Sequence, residues 1–177
     1  MAYLLATQPE WQERLRTEAL KLDAETVTYE QIENLEELDW FWKETLRFYP
    51  VAPSVGRIAL REVNLNGYRI PAGGFISVFF TVAFRDPTSF ADPDRFDPER
   101  FAPPRSEDKH NKGVFLPFGG GHHACIGSHL AALEAKAFWY QFLRKARIRL
   151  AQPYQARHEY RPLGMVSGDV SLVLDPV

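Results

Sequence analysis

Phe118-Gly119-Gly120-Gly121-His122-His123-Ala124-Cys125-Ile126-Gly127 is the stretch that decides how this chain is read, because it holds the single cysteine of 177 residues. The glycine run predicts a turn, and the apolar spacing after Gly127 predicts a helix. The turn therefore delivers the Cys125 sulfur to a helix start, where unpaired N–H groups and the positive end of the dipole favour negative charge. Such a sulfur ligates a metal or attacks an electrophile. Plainer readings compete at this level. A lone Cys is commonly a small buried hydrophobe. His122, His123, Cys125 and His129 crowd together as zinc ligands would, though structural zinc usually takes more thiolates. A cysteine hydrolase needs a distant base, and His158 has no Asn or Asp signature to orient it. Gly119-x-Gly121-x-x-Ala124 loosely follows a dinucleotide fingerprint, but Pro117 spoils the strand that must precede it.

The ten residues closely resemble the cysteine loop of the cytochrome P-450 family of haem-thiolate monooxygenases, whose pattern is Phe-x-x-Gly-x-(basic)-x-Cys-x-Gly. Phe118, Gly121, His123, Cys125 and Gly127 fill it in order. The resemblance implies haem b (iron protoporphyrin IX) as cofactor, with Cys125 as the iron ligand whose electron density favours O–O cleavage. It also implies that Phe118 packs against the sulfur and keeps water off it, and that His123 reaches a haem propionate. Gly121 would take a positive φ, and Gly127 would let the first helical turn approach the macrocycle.

A second match lies upstream. Glu44-Thr45-Leu46-Arg47 puts a carboxylate and a guanidinium on one helix face. Alone, such a pair reads as a solvated ion pair of at most roughly 0.5 kcal/mol. In the family the Glu-x-x-Arg pair is buried and joined by an arginine from a Pro-Glu-Arg-Phe segment, which Pro98-Glu99-Arg100-Phe101 supplies here. The resemblance gives Glu44, Arg47 and Arg100 a structural role as one network. It also gives Arg57, on a predicted strand, a haem propionate as partner; a strand arginine otherwise faces solvent. Phe84 stands before Arg85 where the family often has His.

Composition sets bounds. The chain is 45% hydrophobic and 14% aromatic, enough for a real core. A formal net charge of −2 argues against a nucleic-acid partner. One cysteine excludes a disulfide framework and fits a reducing compartment. No apolar run approaches the roughly 20 residues that span a bilayer, and Met1-Ala2-Tyr3-Leu4-Leu5 lacks the basic flank of a signal peptide. A cytoplasmic protein without a membrane segment is expected.

Along the chain, Ala2 to Ala6 reads as the last turns of a helix. Thr7-x-x-Glu10 reads as a capping box with Pro9 in the first turn, and Trp11, Leu15, Ala19 and Leu22 form one stripe. A second box, Thr28 with Gln31, opens a short helix burying Ile32 and Leu35. The next helix runs from Leu38 to Tyr49 and stops at Pro50. Strands follow at 57–60 and 63–65, a hairpin at Asn66-Gly67 with its return at 68–70, and a strand at 75–81. Residues 86–117 read as a long irregular stretch, with 106–112 polar and exposed. A helix from Ser128 to Lys145 turns Leu130, Leu133, Ala137 and Phe142 inward, and strands at 148–150 and 170–174 close around a turn near Gly164. The fold class is mainly α with small β sheets (α+β).

The resemblance covers residues 1–177 as the C-terminal haem-binding portion of the family's fold, with the N-terminal portion absent and the oxygen-activating acid-Thr pair expected just before Met1. It implies a monooxygenase that, when complete, takes electrons from a redox partner (ferredoxin or flavoprotein reductase) and inserts one oxygen atom into a small organic substrate. A separate N-terminal portion would then complete it. The alternative is a non-catalytic haem-binding remnant. On either reading this chain alone is not a competent monooxygenase, and the Trp40-Phe41-Trp42 cluster and the apolar strands are expected to leave an extended apolar surface. Ala52–Gly56 and Gly164–Ser167 match the family's substrate contacts and are too generic to choose a substrate.

Overall fold

Two helix starts in this chain, at Thr28 and at Leu35, are set by where a hydroxyl or a carboxylate finds backbone partners. The computed structural model describes residues 1–23, 26–111, 113–160, 163–166 and 168–177. Helices α1 (Ala2–Thr7) and α2 (Pro9–Leu20) meet at Gln8. Thr7 does not cap α2: it is still helical in α1, so its hydroxyl donates backwards to the carbonyls of Tyr3 and Leu4 at 3.0 and 3.1 Å. The box at Thr28 does form, with Gln31 N donating to Thr28 Oγ1 and Thr28 N to Gln31 Oε1, and opens α3 (Tyr29–Glu33). Helix α4 (Glu36–Phe48) starts two residues before Leu38. Its first turn borrows a cap from α2, since the Glu18 carboxylate accepts from Glu37 N and Leu38 N at 2.8 and 3.0 Å.

Four two-stranded antiparallel sheets are present among the described residues. Strand β1 (Ser54–Ile58) pairs with β4 (Phe75–Phe79), setting Arg57 opposite Ile76. Between them, β2 (Val63–Leu65) and β3 (Tyr68–Ile70) form a hairpin. Its turn residues Asn66 and Gly67 have φ of 50° and 89°, the sign a two-residue turn between twisted strands requires. The expected strand 75–81 is shorter, because Phe80–Ala83 coils into α5. The described residues of 86–117 are largely irregular, with a 3₁₀ turn at Pro98–Phe101 and helix α6 (Glu107–His110). Helix α7 spans Ser128–Lys145 and runs directly into β5 (Ala146–Leu150). The expected late turn is a hairpin of β6 (His158–Tyr160) and β7 (Gly164–Val166); Ser167 and Lys112 lie outside the described residues. Strand β8 (Leu172–Pro176) closes on β5.

The core sits where α1, α2, α3, α4 and α7 meet, around Leu5, Leu15, Phe41, Tyr140 and Leu143. Phe41 is fully buried between the rings of Trp11 and Phe96, at 6.0 and 5.2 Å, with Trp40 and Trp42 half-buried. Phe41 therefore does not join the apolar surface expected there, because Trp11 on α2 covers it, whereas the strands expected with it do expose Ile58, Phe75, Val78 and Phe79. The inward face of α7 also differs. Lys136, Trp139, Tyr140 and Leu143 are buried, Leu133, Ala137 and Phe142 flank them, and Leu130 is 59% exposed. Apolar residues occupy more than one side of this helix, so spacing alone could not choose the face. Lys136 is tolerated inside because Glu33 O and Asp39 Oδ1 each lie 3.0 Å from its ammonium. A buried amide ties distant segments together: Gln12 Nε2 donates to Leu5 O and Ile148 O, and Ile148 N returns a bond to its oxygen at 2.6 Å.

No helix among the described residues is long and apolar enough to cross a membrane. Replacing Phe41 by Ala should cost about 3–5 kcal/mol, the range for emptying a filled aromatic site. Leu130→Ala should stay within about 0.5 kcal/mol. Urea midpoints of the two variants check both values.

Candidate functional site

Glu44 and Arg47 project from α4 into a region where neither side chain has exposed surface. Arg47 forks onto the carboxylate, Nε to Oε2 at 2.7 Å and Nη2 to Oε1 at 2.9 Å. Arg100, carried on the 3₁₀ turn and also without exposure, donates from Nε to Oε1 at 3.2 Å. Asp97 N adds a bond to the same oxygen at 2.8 Å. The pair is thus buried and shared, not solvated. The remaining guanidinium donors go mostly to main chain: Arg47 to Phe84, Pro93 and Arg95 carbonyls, Arg100 to those of Ala91, Asp92 and Arg95, with Arg100 Nη1 also donating to Glu107 Oε2 at 2.6 Å. Arg85 stacks on the Phe48 ring at 4.1 Å and joins the same region through Pro93 O and Phe48 O. Burial, then the like charge of Arg47, pulls its guanidinium below the usual arginine value.

The cysteine loop is closed by main-chain bonds. Gly119 N donates to Leu116 O at 3.0 Å, Cys125 N to Phe118 O at 2.8 Å, and Ala124 N to Gly121 O at 3.1 Å across a 3₁₀ turn at Gly121–His123. Gly119 and Gly121 hold φ of 73° and 67°, where a side chain is strained. Gly127 caps α7, and Ala131 N donates to its carbonyl at 2.8 Å. A Cβ at Gly127 would lie 3.8 Å from Cys125 Sγ and meet nothing else, so the space it would fill flanks the sulfur.

Cys125 is exposed, which departs both from a buried hydrophobe and from a sulfur shielded by Phe118. The bond between those residues is main-chain to main-chain, and the Phe118 ring is only half-buried. Ile126 and Leu130 beside it are also exposed. His123 is exposed on the 3₁₀ turn, and Arg57, half-buried on β1, donates to Gly56 O at 2.8 Å. No hydrogen bond or ion pair joins Arg57 to the loop among the described residues. No three His, Cys, Asp or Glu side chains among the described residues are placed to share a metal ion, so His122, His123, Cys125 and His129 do not form a zinc cage. The His158 side chain lies outside the described residues. One exposed sulfur with apolar neighbours and no side chain at Gly127 suits a metal already held by a flat macrocycle, which needs a single axial donor.

Two features escaped the sequence reading. Gly119 shares the positive φ assigned to Gly121, and the triple glycine run was a signal for it. Glu107 is buried within the polar stretch expected to be exposed, with Arg100 Nη1 2.6 Å from its Oε2. An Arg-x-Glu spacing at Arg105 and Glu107 was its only trace.

The chain thus combines a lone exposed sulfur, presented on a glycine turn before a long helix, with a buried Glu-x-x-Arg unit. The chain belongs to the cytochrome P450 family, whose model matches residues 1–171. It is 37% identical over 99% of its length to cytochrome P450 136 of Mycobacterium tuberculosis, covering 36% of that protein. It is 34% identical over 87% of its length to the sterol 14α-demethylase of Mycolicibacterium vanbaalenii, covering 35% of it. The solved structure of cyanobacterial CYP120A1 bound to retinoic acid superposes with a TM-score of 0.91 at 28% identity, over 98% of this chain and 40% of that one. The chain thus spans little more than a third of the curated relatives it matches.

Removing the Glu44 carboxylate leaves the buried Arg47 guanidinium without a carboxylate and takes one of two from Arg100, so Glu44→Ala should cost roughly 3–5 kcal/mol. A double-mutant cycle with Arg100→Ala should show strong non-additivity in urea melts; small, additive losses would show independent side chains. Acid should act on the outer carboxylates. Desolvation raises Glu107 and Asp97, but the guanidinium groups of Arg105 and Arg100 outweigh it and hold both below their ordinary values of 4.5 and 3.8. A lowered folded value means this stability is complete above the ordinary values and is lost as pH falls through the lowered ones. Urea midpoints should accordingly be flat in this contribution near neutrality and drop below about pH 4.5.

Proposed function

We propose that this chain carries the axial-ligand side of a haem-thiolate monooxygenase, with Cys125 ligating the iron of haem b. The supporting observation is the exposed Cys125 sulfur on a loop fixed by main-chain bonds, in a chain of the cytochrome P450 family. The haem, when bound, supplies oxygen activation, so that one atom of O2 enters a small organic substrate.

The chain's own residues position and bind. Cys125 offers its sulfur from a loop that Gly119 and Gly121 allow to turn sharply. Gly127 leaves room beside that sulfur for a flat ring. His123, through a ring N–H, and Arg57 are the donors suited to haem propionates; both reach solvent, and Arg57 commits one terminal nitrogen to Gly56 O. Phe118 serves as the apolar neighbour of the ring, and Ile126 and Leu130 lose their exposure against it or against adjoining parts of the fold. Glu44, Arg47 and Arg100 keep the supporting core rigid. The opposite wall of the haem site is, on this reading, furnished by the part of the family's length that this chain does not span, in the same or a separate polypeptide. A ferredoxin or flavoprotein reductase in the cytoplasm provides electrons.

Chain loaded with haem, reduced and exposed to carbon monoxide should show the red-shifted Soret band of thiolate ligation, and Cys125→His should abolish it. An unchanged band in that variant would refute the assignment. Coupled substrate oxidation per electron, measured with and without the remainder of the fold, separates a monooxygenase portion from a non-catalytic haem-binding remnant.

A further inference from the structure

Charge neutrality in the buried network depends on a residue outside the Glu44, Arg47 and Arg100 unit. Those three bring two positive charges and one negative into a region with no exposed surface. Glu107, 7% exposed as a residue, supplies the missing negative charge. Its Oε2 accepts from Arg100 Nη1 at 2.6 Å and from Ala91 N at 3.2 Å. Its Oε1 accepts from Arg105 Nη2 at 2.7 Å and Nε at 3.1 Å. Arg105 Nη1 continues to Asp97 Oδ2 at 2.8 Å, and Asp97 N returns to Glu44 Oε1 at 2.8 Å. The result is a closed ring of charge-assisted bonds running from α4 through the 3₁₀ turn to α6 and back.

The ring fastens one end of the connection that leads to Cys125. The other end is held by Phe115, whose ring lies 5.4, 6.4 and 5.0 Å from those of Phe84, Phe90 and Phe101. Phe118, where the cysteine loop begins, is only three residues beyond Phe115. The path from α6 to the loop therefore has an apolar anchor and a charged one. We propose that Glu107 is a positioning residue for Cys125, compensating Arg100 and fixing the approach to the cysteine loop; its haem-directed part rests on the reading of Cys125 as iron ligand. When the Glu107 charge is removed, Arg47 keeps its fork on Glu44, and the uncompensated Arg100 pulls away from α6 rather than from α4. The loosening therefore appears along 107–125 and spares the helical core.

Amide hydrogen exchange on the 177-residue chain, followed by NMR, tests this without haem. Glu107→Gln should speed exchange at Gly119 and Cys125, both bonded within the loop, about tenfold, while amides in α2 and α7 stay within about twofold. Glu107→Asp, which keeps the charge, should restore most of the protection. Where Glu107→Gln does not fold, Arg105→Gln, which frees Glu107 from its partly exposed partner, carries the same comparison. Unchanged loop exchange, or an equal rise throughout α2 and α7, would overturn the proposal. In the haem-loaded chain, Glu107→Gln should lower the share of haem giving the thiolate-type carbon monoxide band. A wild-type chain without that band but with a responsive loop would sink the haem assignment and leave the role of Glu107 standing. A wild-type band with an unresponsive Glu107→Gln variant would do the reverse.

Discussion

The Glu44 carboxylate, shared between two arginines in a place water does not reach, is the interaction on which the other parts of this structure depend. An ionised carboxylate is tolerated there because both its oxygens are occupied by charged or main-chain donors. The same bonds unite segments far apart in sequence. Helix α4 provides the carboxylate and one guanidinium, the 3₁₀ turn provides the other, and the irregular stretch between them is gripped by what those guanidinium groups have left to donate. A long loop thus acquires a defined course without a strand or helix of its own.

Around that centre the molecule divides its labour. Apolar packing among α1, α2, α3, α4 and α7 forms a helical core near Phe41 and Tyr140, while the ion network orders the segment leading to the cysteine. Gln12 illustrates a neutral version of the same device, using one buried amide to bind the end of α1 to β5. Apart from Asp108 Oδ1, buried side-chain polar atoms among the described residues arrive with partners. That is why Lys136 and Arg47 can sit inside a core that is otherwise aromatic and aliphatic.

Much of this was legible in the sequence where chemistry leaves a fixed spacing. The Cys125 loop, the Glu44 and Arg47 pair, the Asn66-Gly67 turn and the Thr28 box each depend on residues a few positions apart. Features set by tertiary partners were not legible. Thr7 has the composition of a cap, yet α1 reaches it first and turns its hydroxyl backwards. Helix α7 is apolar on several sides, so its buried face follows from where α2 and α3 lie rather than from its own period. Glu107 sits in a polar run that resembles a solvated loop, and only the position of Arg100 in space makes it an interior residue.

The arginine contacts to residues 84–95 carry a consequence for how this segment can vary between relatives. Arg47 and Arg100 hold carbonyl oxygens at Phe84, Ala91, Asp92, Pro93 and Arg95, groups that every amino acid possesses. Outside the aromatic contacts of Phe84 and Phe90 and the Arg85 side chain, which bonds Pro93 O, Asp94 and Phe48 O, side-chain identity matters little to the grip. Spacing is not, because one inserted or deleted residue would carry every later oxygen out of register with two immovable guanidinium forks. Drift in this family should accordingly replace the other letters in this loop more readily than it changes the loop's length.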